Sequence, residues 1–406
     1  MEPEADLFTR IKAKIQEIQL VIAAAPPQGR PLSIMTGPCG SILYNFYMAK
    51  MQNSGALYDC AFDLLEQTLE GIERNGVDYV TYCDGAVGFG VLFKLLATEG
   101  FIEAEVDDVM LALDDLVIDY TTAQLQADNL DFLHGAIGDG FYLLSRLGTP
   151  ATDQCLARLI TYLTTTATRD EQGIRWYDEP SAFNAYTPGG VNLSLSHGLS
   201  SKLIFLAHCV SANVKTTECT TLLLGAVQYL KNQACFESQA NVYPTFTAAS
   251  GHPRLSNRLA WCYGDLGIVV ALLMAGKALG QAKWVEEAFA LGLRAAGRIT
   301  LEQTGVVDAG FCHGTAGIAH IFNRLYLESQ QDAFRLARNY WLDRTLEQAC
   351  FSDGLAGYKT YQQAEWVLDR SLLEGIMGIN LVLQSSLEKE ATNLSWDALF
   401  LLNFNA

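Results

Sequence analysis

Charged residues are scarce in this 406-residue sequence, and basic residues are the scarcer kind. Only 18% of the residues are charged, against about 25% in an average domain. Lysine and arginine number 27 and aspartate and glutamate 45, which gives a formal net charge of −18. This balance disfavours binding to nucleic acids or to anionic membrane surfaces, because both depend on basic patches. Half of the residues are hydrophobic, so the chain can bury a large core and is not disordered.

A long apolar run is also missing. The best one, Gly267 to Gly276, has ten residues, whereas a membrane-spanning helix needs about twenty. The N-terminal residues are acidic where a signal peptide would be basic. We therefore expect a cytoplasmic protein that is not an integral membrane protein. Its ten cysteines do not form the dense framework of a small secreted domain, so most should be buried free thiols and a minority could bind metal.

Glycine organises the sequence, because a Gly-x-x-Gly pattern recurs and is followed each time by an apolar stretch. We number the seven copies turn 1 to turn 7. They begin at Gly37, Gly85, Gly135, Gly198, Gly264, Gly314 and Gly375. The fourth copy is degenerate, since Ser201 replaces its second glycine. The recurrence of this pattern along the whole chain indicates one supersecondary unit that is used seven times.

The segments around each turn predict helices of two kinds. The stretch after a turn is apolar on nearly all sides, as in Ile268 to Ala275, which is typical of a buried helix. The segments between turns are amphipathic, as in the stripe Leu156, Leu159, Ile160 and Leu163. The sequence therefore predicts an all-α fold with two concentric layers of helices, wet outside and dry inside.

A ring of this kind gathers the turns in one place. If every inner helix begins directly after its turn, all inner N-termini lie at one end of the ring, which we call the mouth. Residues flanking the turns then converge there, and helix N-termini favour thiolates and other anions. Two long connections, about 168–195 and 237–257, lead into turns 4 and 5, and we expect them to form rims of the mouth.

Cysteine and histidine flank the later turns. Cys262 and Cys312 each lie two residues before a turn glycine, and His313 directly precedes one. Two thiolates and an imidazole are ordinary zinc ligands, and three protein ligands leave a fourth position open, as in catalytic sites. We therefore predict a zinc site at Cys262, Cys312 and His313. Such a site would hold and deprotonate a further thiol, so the predicted substrate group is a thiol. Two buried thiols and a hydrogen-bonded core histidine would explain the same residues without metal.

Four further residues are candidates for chemistry at the mouth. Arg258, four residues before the first of these cysteines, could donate a hydrogen bond to a developing oxyanion. His197 and Tyr263 are candidate proton donors or acceptors. Asp131 could orient a histidine or hold Arg258. Ordinary cap, core and surface roles remain the alternative for all four.

At this point the sequence resembles the lanthionine synthetase C-like proteins. The resemblance covers essentially the whole chain and rests on Ser196-His197-Gly198, Trp261-Cys262-Tyr263-Gly264 and Cys312-His313-Gly314, set among the seven turns. It implies a double-layered α/α toroid of seven inner and seven outer helices, in a single domain over residues 1–406. It also implies zinc at the three predicted ligands and active-site positions for Asp131, His197, Arg258 and Tyr263.

The activity implied by the resemblance is that of a bacterial lanthipeptide cyclase, which forms thioether rings in a dehydrated precursor peptide. A peptide cysteine would bind the open zinc position, lose its proton and add to the β-carbon of dehydroalanine or dehydrobutyrine. Arg258 would stabilise the resulting enolate, and His197 or Tyr263 would protonate the α-carbon. A separate dehydratase is the implied partner.

Three alternatives stay open. The first is another thiol-activating zinc enzyme on a helical toroid, such as a prenyltransferase-like protein. It would need a carboxylate ligand and a basic pocket for diphosphate, which an acidic chain with a Cys-Cys-His set does not favour. The second is a non-catalytic or glutathione-binding member of the same family. The third is a scaffold whose cysteines are buried and bind no metal.

Overall fold

The computed structural model describes residues 3–25, 29–103, 106–177, 190–238, 240–247, 256–389 and 391–404. Within them, helices of an outer and an inner layer alternate along the chain. The outer helices are α1 (Pro3–Ala23), α3 (Gly55–Asn75), α5 (Val106–Gln126), α7 (Pro150–Thr166), α9 (Thr216–Asn232), α11 (Ala282–Ala296) and α14 (Asp332–Glu347). The inner helices are α2 (Pro38–Gln52), α4 (Ala86–Thr98), α6 (Ala136–Ser145), α8 (Leu199–Ser211), α10 (Asp265–Ala278), α13 (Thr315–Ser329) and α15 (Ile376–Ser385).

The two layers close into a ring. Each outer helix packs on an inner neighbour, for example α3 on α2, α11 on α10 and α14 on α13. The last inner helix, α15, packs against both α13 and the first inner helix α2, and α1 covers it from outside. The predicted all-α double-layered toroid is thus confirmed.

The burial of each layer follows its sequence pattern. All residues of α10 from Asp265 to Gly276 are buried, as expected for a helix that is apolar on every side. In α11 the buried residues lie on one face only, namely Ala288, Leu291, Gly292 and Ala295. The outer helices therefore shield the inner ring and leave their polar faces in water.

The glycine turns begin the inner helices. The first glycine of each turn is the residue preceding an inner helix, as Gly85 is for α4 and Gly314 for α13. At the second glycine of turn 6, Gly317, a Cβ atom would overlap the carbonyl oxygen of Phe311, so no larger residue fits. Gly264 of turn 5 has a φ of 103°, which L-residues rarely adopt. These steric and conformational requirements explain why glycine recurs at the turns.

Backbone hydrogen bonds join neighbouring turns side by side. They involve the residue two positions before each first glycine: Met35 N–H donates to Cys83, Cys83 to Leu133, Ser196 to Cys262, Cys262 to Cys312, Cys312 to Leu373, and Leu373 to Met35. The last of these bonds, 3.0 Å long, links turn 7 back to turn 1. The turns therefore form a rim at one end of the toroid, and this rim is the predicted mouth.

The interior of the ring is filled by a C-terminal segment. Residues Ala391–Phe400 form a 3₁₀ helix that hydrogen-bonds to several sides of the toroid. Its carbonyl oxygens at Leu399 and Phe400 accept hydrogen bonds from Tyr82 (3.0 Å) and Trp261 (2.8 Å), which precede turns 2 and 5. Its Asp397 lies 2.7 Å from His320 Nε2 of α13. The sequence analysis did not predict this 3₁₀ helix inside the ring.

Short antiparallel strand pairs and one short helix complete the described structure. The strands pair as β1 (Thr168–Asp170) with β2 (Gly173–Arg175), β3 (Val191–Asn192) with β4 (Phe246–Thr247), and β5 (Thr360–Gln362) with β6 (Glu365–Val367), and the short helix is α12 (Leu301–Thr304). The pair β3–β4 joins the two long connections that precede turns 4 and 5. Their remaining parts, 178–189, 239 and 248–255, lie outside the described residues, so the expectation that they form rims applies only to the described ends. No helix in the described ranges is long and apolar enough to cross a membrane.

Candidate active site and metal centre

Turns 5 and 6 bring the three predicted metal ligands together. The Sγ atoms of Cys262 and Cys312 and a ring nitrogen of His313 all lie within 4.8 Å of one another. The Cys262 N–H donates to the Cys312 carbonyl oxygen at 3.3 Å, which fixes the two turns against each other. Cys262 is 4% exposed and Cys312 9%, so the cluster is shielded from bulk water. Two thiols and an imidazole in this arrangement could hold a metal ion.

The three groups of this cluster are electrostatically linked. A hydrogen bond from the Cys312 thiol, and a second one from His313, hold the pKa of Cys262 well below its usual range. The same hydrogen bond raises the pKa of Cys312, because its proton is shared with the Cys262 sulfur. Burial opposes protonation of His313, but the hydrogen bond to Cys262 and the charge of Glu374 raise its pKa to about 9. The cluster therefore already stabilises one thiolate, which is the form that binds metal.

A carboxylate from turn 7 adjoins this cluster. Glu374 Oε1 lies 3.4 Å from Nδ1 of His313, and burial raises the pKa of Glu374 to about 8. Asp308 Oδ2 lies 3.8 Å from the other ring nitrogen, but both Asp308 oxygens accept backbone N–H groups, from Gly310 and Tyr361. Glu374 is thus the carboxylate with capacity left for the histidine. The sequence analysis missed it, although it directly precedes the turn 7 glycine as His313 precedes that of turn 6.

Turns 3 and 4 supply a carboxylate–imidazole pair. His197 Nδ1 lies 2.7 Å from Asp131 Oδ2, and the other Asp131 oxygen accepts the His134 backbone N–H at 2.8 Å. Burial opposes ionisation of Asp131, but the hydrogen bond and charge of His197 hold its pKa below the usual range. Of the two partners that the sequence left open for Asp131, the structure selects the histidine. A carboxylate at Nδ1 orients the ring so that Nε2 faces away from it.

Tyr263 lies between this pair and the metal-ligand cluster, and Arg258 lies close enough to the cluster to influence Cys262. Tyr263 follows Cys262 in the chain, and its ring centroid lies 6.3 Å from that of His197. Arg258 has an exposed side chain, and its carbonyl oxygen accepts a hydrogen bond from Asn241 at 3.0 Å. Besides the hydrogen bond from Cys312, the charge of Arg258 also lowers the pKa of Cys262. All seven residues proposed from the sequence thus lie at the mouth.

The opposite half of the mouth carries a second thiol–imidazole contact. Cys83 Sγ of turn 2 lies 3.3 Å from Nδ1 of His134 in turn 3. Burial raises the pKa of Cys83 to about 12, so this cysteine stays a neutral thiol. Next to it, Asp84 and Arg30 form an ion pair of 2.8 Å. No third ligand completes a metal cluster around Cys83 within the part of the chain that the structure describes.

A helical toroid with a Cys-Cys-His cluster at the mouth defines the class of protein. The family model of the lanthionine synthetase C-like proteins matches residues 29–401, and the chain belongs to this family. Among solved structures, the chain is similar to a nisin cyclase, with a TM-score of 0.75 and 19% sequence identity. That likeness covers 97% of this chain and 98% of the other, and it shows the shared fold. No curated protein sequence matches.

Proposed function

We propose that this protein is a zinc-dependent lanthipeptide cyclase. It would close lanthionine and methyllanthionine rings by Michael addition of peptide cysteine thiols to dehydroalanine or dehydrobutyrine. The observation that carries the proposal is the convergence of Cys262, Cys312 and His313 beside the Asp131–His197 pair at one mouth. Membership of the lanthionine synthetase C-like family supports it.

The donor set fits zinc. Two sulfurs and an imidazole nitrogen match the ligands that zinc takes in catalytic sites, and they leave one position for a further ligand. Zinc held there would lower the pKa of a coordinating peptide thiol, so that it reacts as a thiolate. Glu374 would hold His313 through Nδ1, in the manner of the carboxylates that orient metal-binding histidines. Zn²⁺ with two thiolates and a neutral imidazole would be formally neutral, which favours activation of a thiol over activation of water.

The Asp131–His197 pair would handle the proton of the addition. When a thiolate adds to the β-carbon of a dehydro residue, charge develops on the neighbouring carbonyl and the α-carbon must gain a proton. Asp131 keeps His197 in one tautomer and orientation, which is the arrangement of a general acid–base group. Tyr263, whose ring lies 6.3 Å from that of His197, is the second candidate donor.

Arg258 would stabilise the developing oxyanion. Its side chain is exposed at the mouth, and its charge already reaches the Cys262 sulfur. A guanidinium placed in this way can donate hydrogen bonds to a carbonyl oxygen that becomes negative in the transition state. Addition is thus divided between thiol activation at turns 5 and 6, oxyanion binding by Arg258 and proton delivery from turn 4.

The proposal extends to the setting of the reaction. The chain would work as one toroid domain over residues 1–406, which the packing of α15 against α2 supports. Its substrate must already contain dehydro residues, so a separate dehydratase would act first on the same precursor peptide. We place both reactions in the cytoplasm, where peptide thiols stay reduced.

Incubation with a dehydrated, cysteine-containing peptide tests the function directly. Ring closure adds the thiol across a double bond and changes no mass, so each ring is counted as one cysteine that thiol-alkylating reagent no longer labels. We expect labelling to be lost with the zinc-loaded protein and to persist after a chelator removes the metal. Full labelling with loaded protein would contradict the cyclase proposal and favour a non-catalytic or glutathione-binding member.

A further inference from the structure

A cavity of about 740 Å³ opens under turns 1 to 3, on the side of the mouth away from the metal-ligand cluster. Hydroxyl and amide groups make up much of its wall, including those of Thr36, Thr81, Tyr120 and Gln124. The Arg30–Asp84 ion pair adds one charge of each sign. A cavity of this size and polarity is in the range of ligand-binding pockets.

This cavity adjoins the proposed reaction site. Asp131 and His134 both line it, and Asp131 is the residue that holds His197 at 2.7 Å. The rings of His134 and His197 are parallel, with centroids 6.0 Å apart. A row of side chains therefore leads from the cavity through His197 and Tyr263 to the metal-ligand cluster.

We propose that this cavity holds the spacer of the precursor peptide, meaning the residues between the reacting cysteine and the dehydro residue. The inference rests on the proposed function. With the thiol at turns 5 and 6 and the acceptor beside His197 in turn 4, the spacer must loop out of the reaction site. The space under turns 1 to 3, which adjoins the Asp131–His197 pair, would receive it.

The walls of the cavity define the class of spacer that it accepts. Hydroxyl and amide side chains offer hydrogen bonds to peptide backbone and to polar side chains. The charges of Arg30 and Asp84 offset each other, and Asp131 adds one carboxylate on the side next to His197. The cavity thus suits polar peptide segments, and its volume limits how long a spacer the enzyme can close into a ring.

Two peptides that differ only in spacer length test this inference. Both carry one cysteine and one dehydroalanine, separated by about two residues in one and about six in the other, a difference of roughly 14 Å in extended chain. The measured quantity is the ratio of the long-ring to the short-ring closure rate, followed by protection from thiol alkylation.

Two variants should move this ratio in opposite directions. Thr36 is exposed and lines the cavity, so Thr36→Trp should fill the space and lower the ratio about tenfold. Tyr79 is 45% exposed and also lines the cavity, so Tyr79→Ala should widen it and raise the ratio. The matched control is Thr161→Trp, an exposed position on outer helix α7, which should keep the wild-type ratio.

The possible results separate this inference from the proposed function. A metal content equal to that of the wild type shows that the toroid of each variant is folded. An unchanged ratio in both cavity variants, or a shift of both in the same direction, would overturn the spacer site and leave the cyclase proposal standing. If wild-type protein closes neither peptide, the cyclase proposal fails and the spacer site fails with it.

Discussion

Turns 2 and 3 repeat the first cysteine and the histidine of turns 5 and 6 but lack the second cysteine. Cys83 and Cys262 both lie two residues before a turn glycine, and His134 and His313 both directly precede the next one. In each case the cysteine N–H donates to the backbone of the following turn, at 3.1 Å for Cys83 and 3.3 Å for Cys262. The acceptor residue is Leu133 in one half of the mouth and Cys312 in the other.

This single exchange accounts for the different chemistry of the two halves. Cys83 has His134, but among the residues that the structure describes no second cysteine joins them in a metal-ligand cluster, and burial keeps Cys83 a neutral thiol with a pKa of about 12. Cys262 receives a hydrogen bond from Cys312, which lowers the pKa of Cys262, and Cys312 adds a second sulfur to the group that could hold a metal. The repeat therefore places a cysteine next to a histidine at both pairs of turns, but within the described residues the second cysteine is present only at turns 5 and 6.

The largest expected effect separates the two cysteines at equivalent positions. Cys262→Ser should lower zinc affinity by more than about a hundredfold, because removing even a residue that only orients a metal ligand costs 10–100-fold. Cys83→Ser is the matched control and should retain about one zinc per chain. Elemental analysis after exposure to a chelator measures both. Equal zinc loss in the two variants would contradict the assignment of the metal to turns 5 and 6.

The second prediction tests whether turn 4 acts in catalysis while turns 5 and 6 bind the metal. His197→Ala should keep zinc but slow cyclisation about 10²–10⁴-fold, the usual contribution of a general acid–base group. His208→Ala is the control and should cyclise at the wild-type rate. His208 lies in the last turn of inner helix α8, at the opposite end from turn 4 and His197. Normal cyclisation by the His197 variant would remove this residue from the mechanism.

The comparison also predicts a gain of function in metal binding. Leu133→Cys places a sulfur at the position equivalent to Cys312, beside Cys83 and His134. Because the three ligand types then match those of turns 5 and 6, zinc content should rise from about one to about two per chain. Leu133→Ser supplies a similar volume without the sulfur and should stay at one. An unchanged zinc content in Leu133→Cys would show that turns 2 and 3 do not position their ligands as turns 5 and 6 do.

A smaller effect is expected at Glu374. Glu374→Ala should weaken zinc binding about tenfold, because His313 loses the carboxylate that orients it. Glu374→Gln retains an oxygen that can accept from Nδ1 and should restore most of the affinity. A chelator competition measures each value, and the spectrum of the cobalt-substituted protein reports the ligand geometry. Equal affinity in the alanine variant and the wild type would argue against an orienting role.

The last prediction concerns the protons that are released when zinc binds. In the metal-free protein, His313 has a pKa of about 9 and that of Cys312 lies above the thiol range, so both are protonated at neutral pH. Zinc requires both to be deprotonated, so binding should release about two protons at pH 7. Zinc affinity should accordingly rise with pH, and the histidine contribution should level off above about 9. Calorimetry in buffers of different ionisation enthalpy counts the protons, and a release near zero would contradict this linkage.

Features that are local in sequence could be predicted, and those that depend on neighbouring turns could not. The toroid and the Cys262–Cys312–His313 set follow from glycine spacing and from residues within two positions of a glycine. The Cys83–His134 contact and the role of Glu374 require knowledge of which turns adjoin. Comparison of the residue before each turn glycine would have indicated Glu374, because three of those positions are histidines.

Other features escaped because their sequence signal is weak. The strands are two or three residues long, too short for an alternating pattern to be recognised. The 3₁₀ helix at 391–400 follows no glycine turn and therefore lies outside the repeat. Asp131 was left with two partners, and only the three-dimensional neighbourhood of turns 3 and 4 decided for His197.

The 3₁₀ helix inside the ring ties the assembly of the mouth to the order of synthesis. Trp261, which directly precedes the candidate metal ligand Cys262, donates its indole N–H to the Phe400 carbonyl oxygen. Outer helix α1, near residue 3, likewise packs on α15, near residue 380. Contacts between such distant segments form late, since the ribosome must deliver both before either is satisfied. The mouth and its candidate ligands therefore reach their final arrangement only after α15 and the 3₁₀ helix have been synthesised.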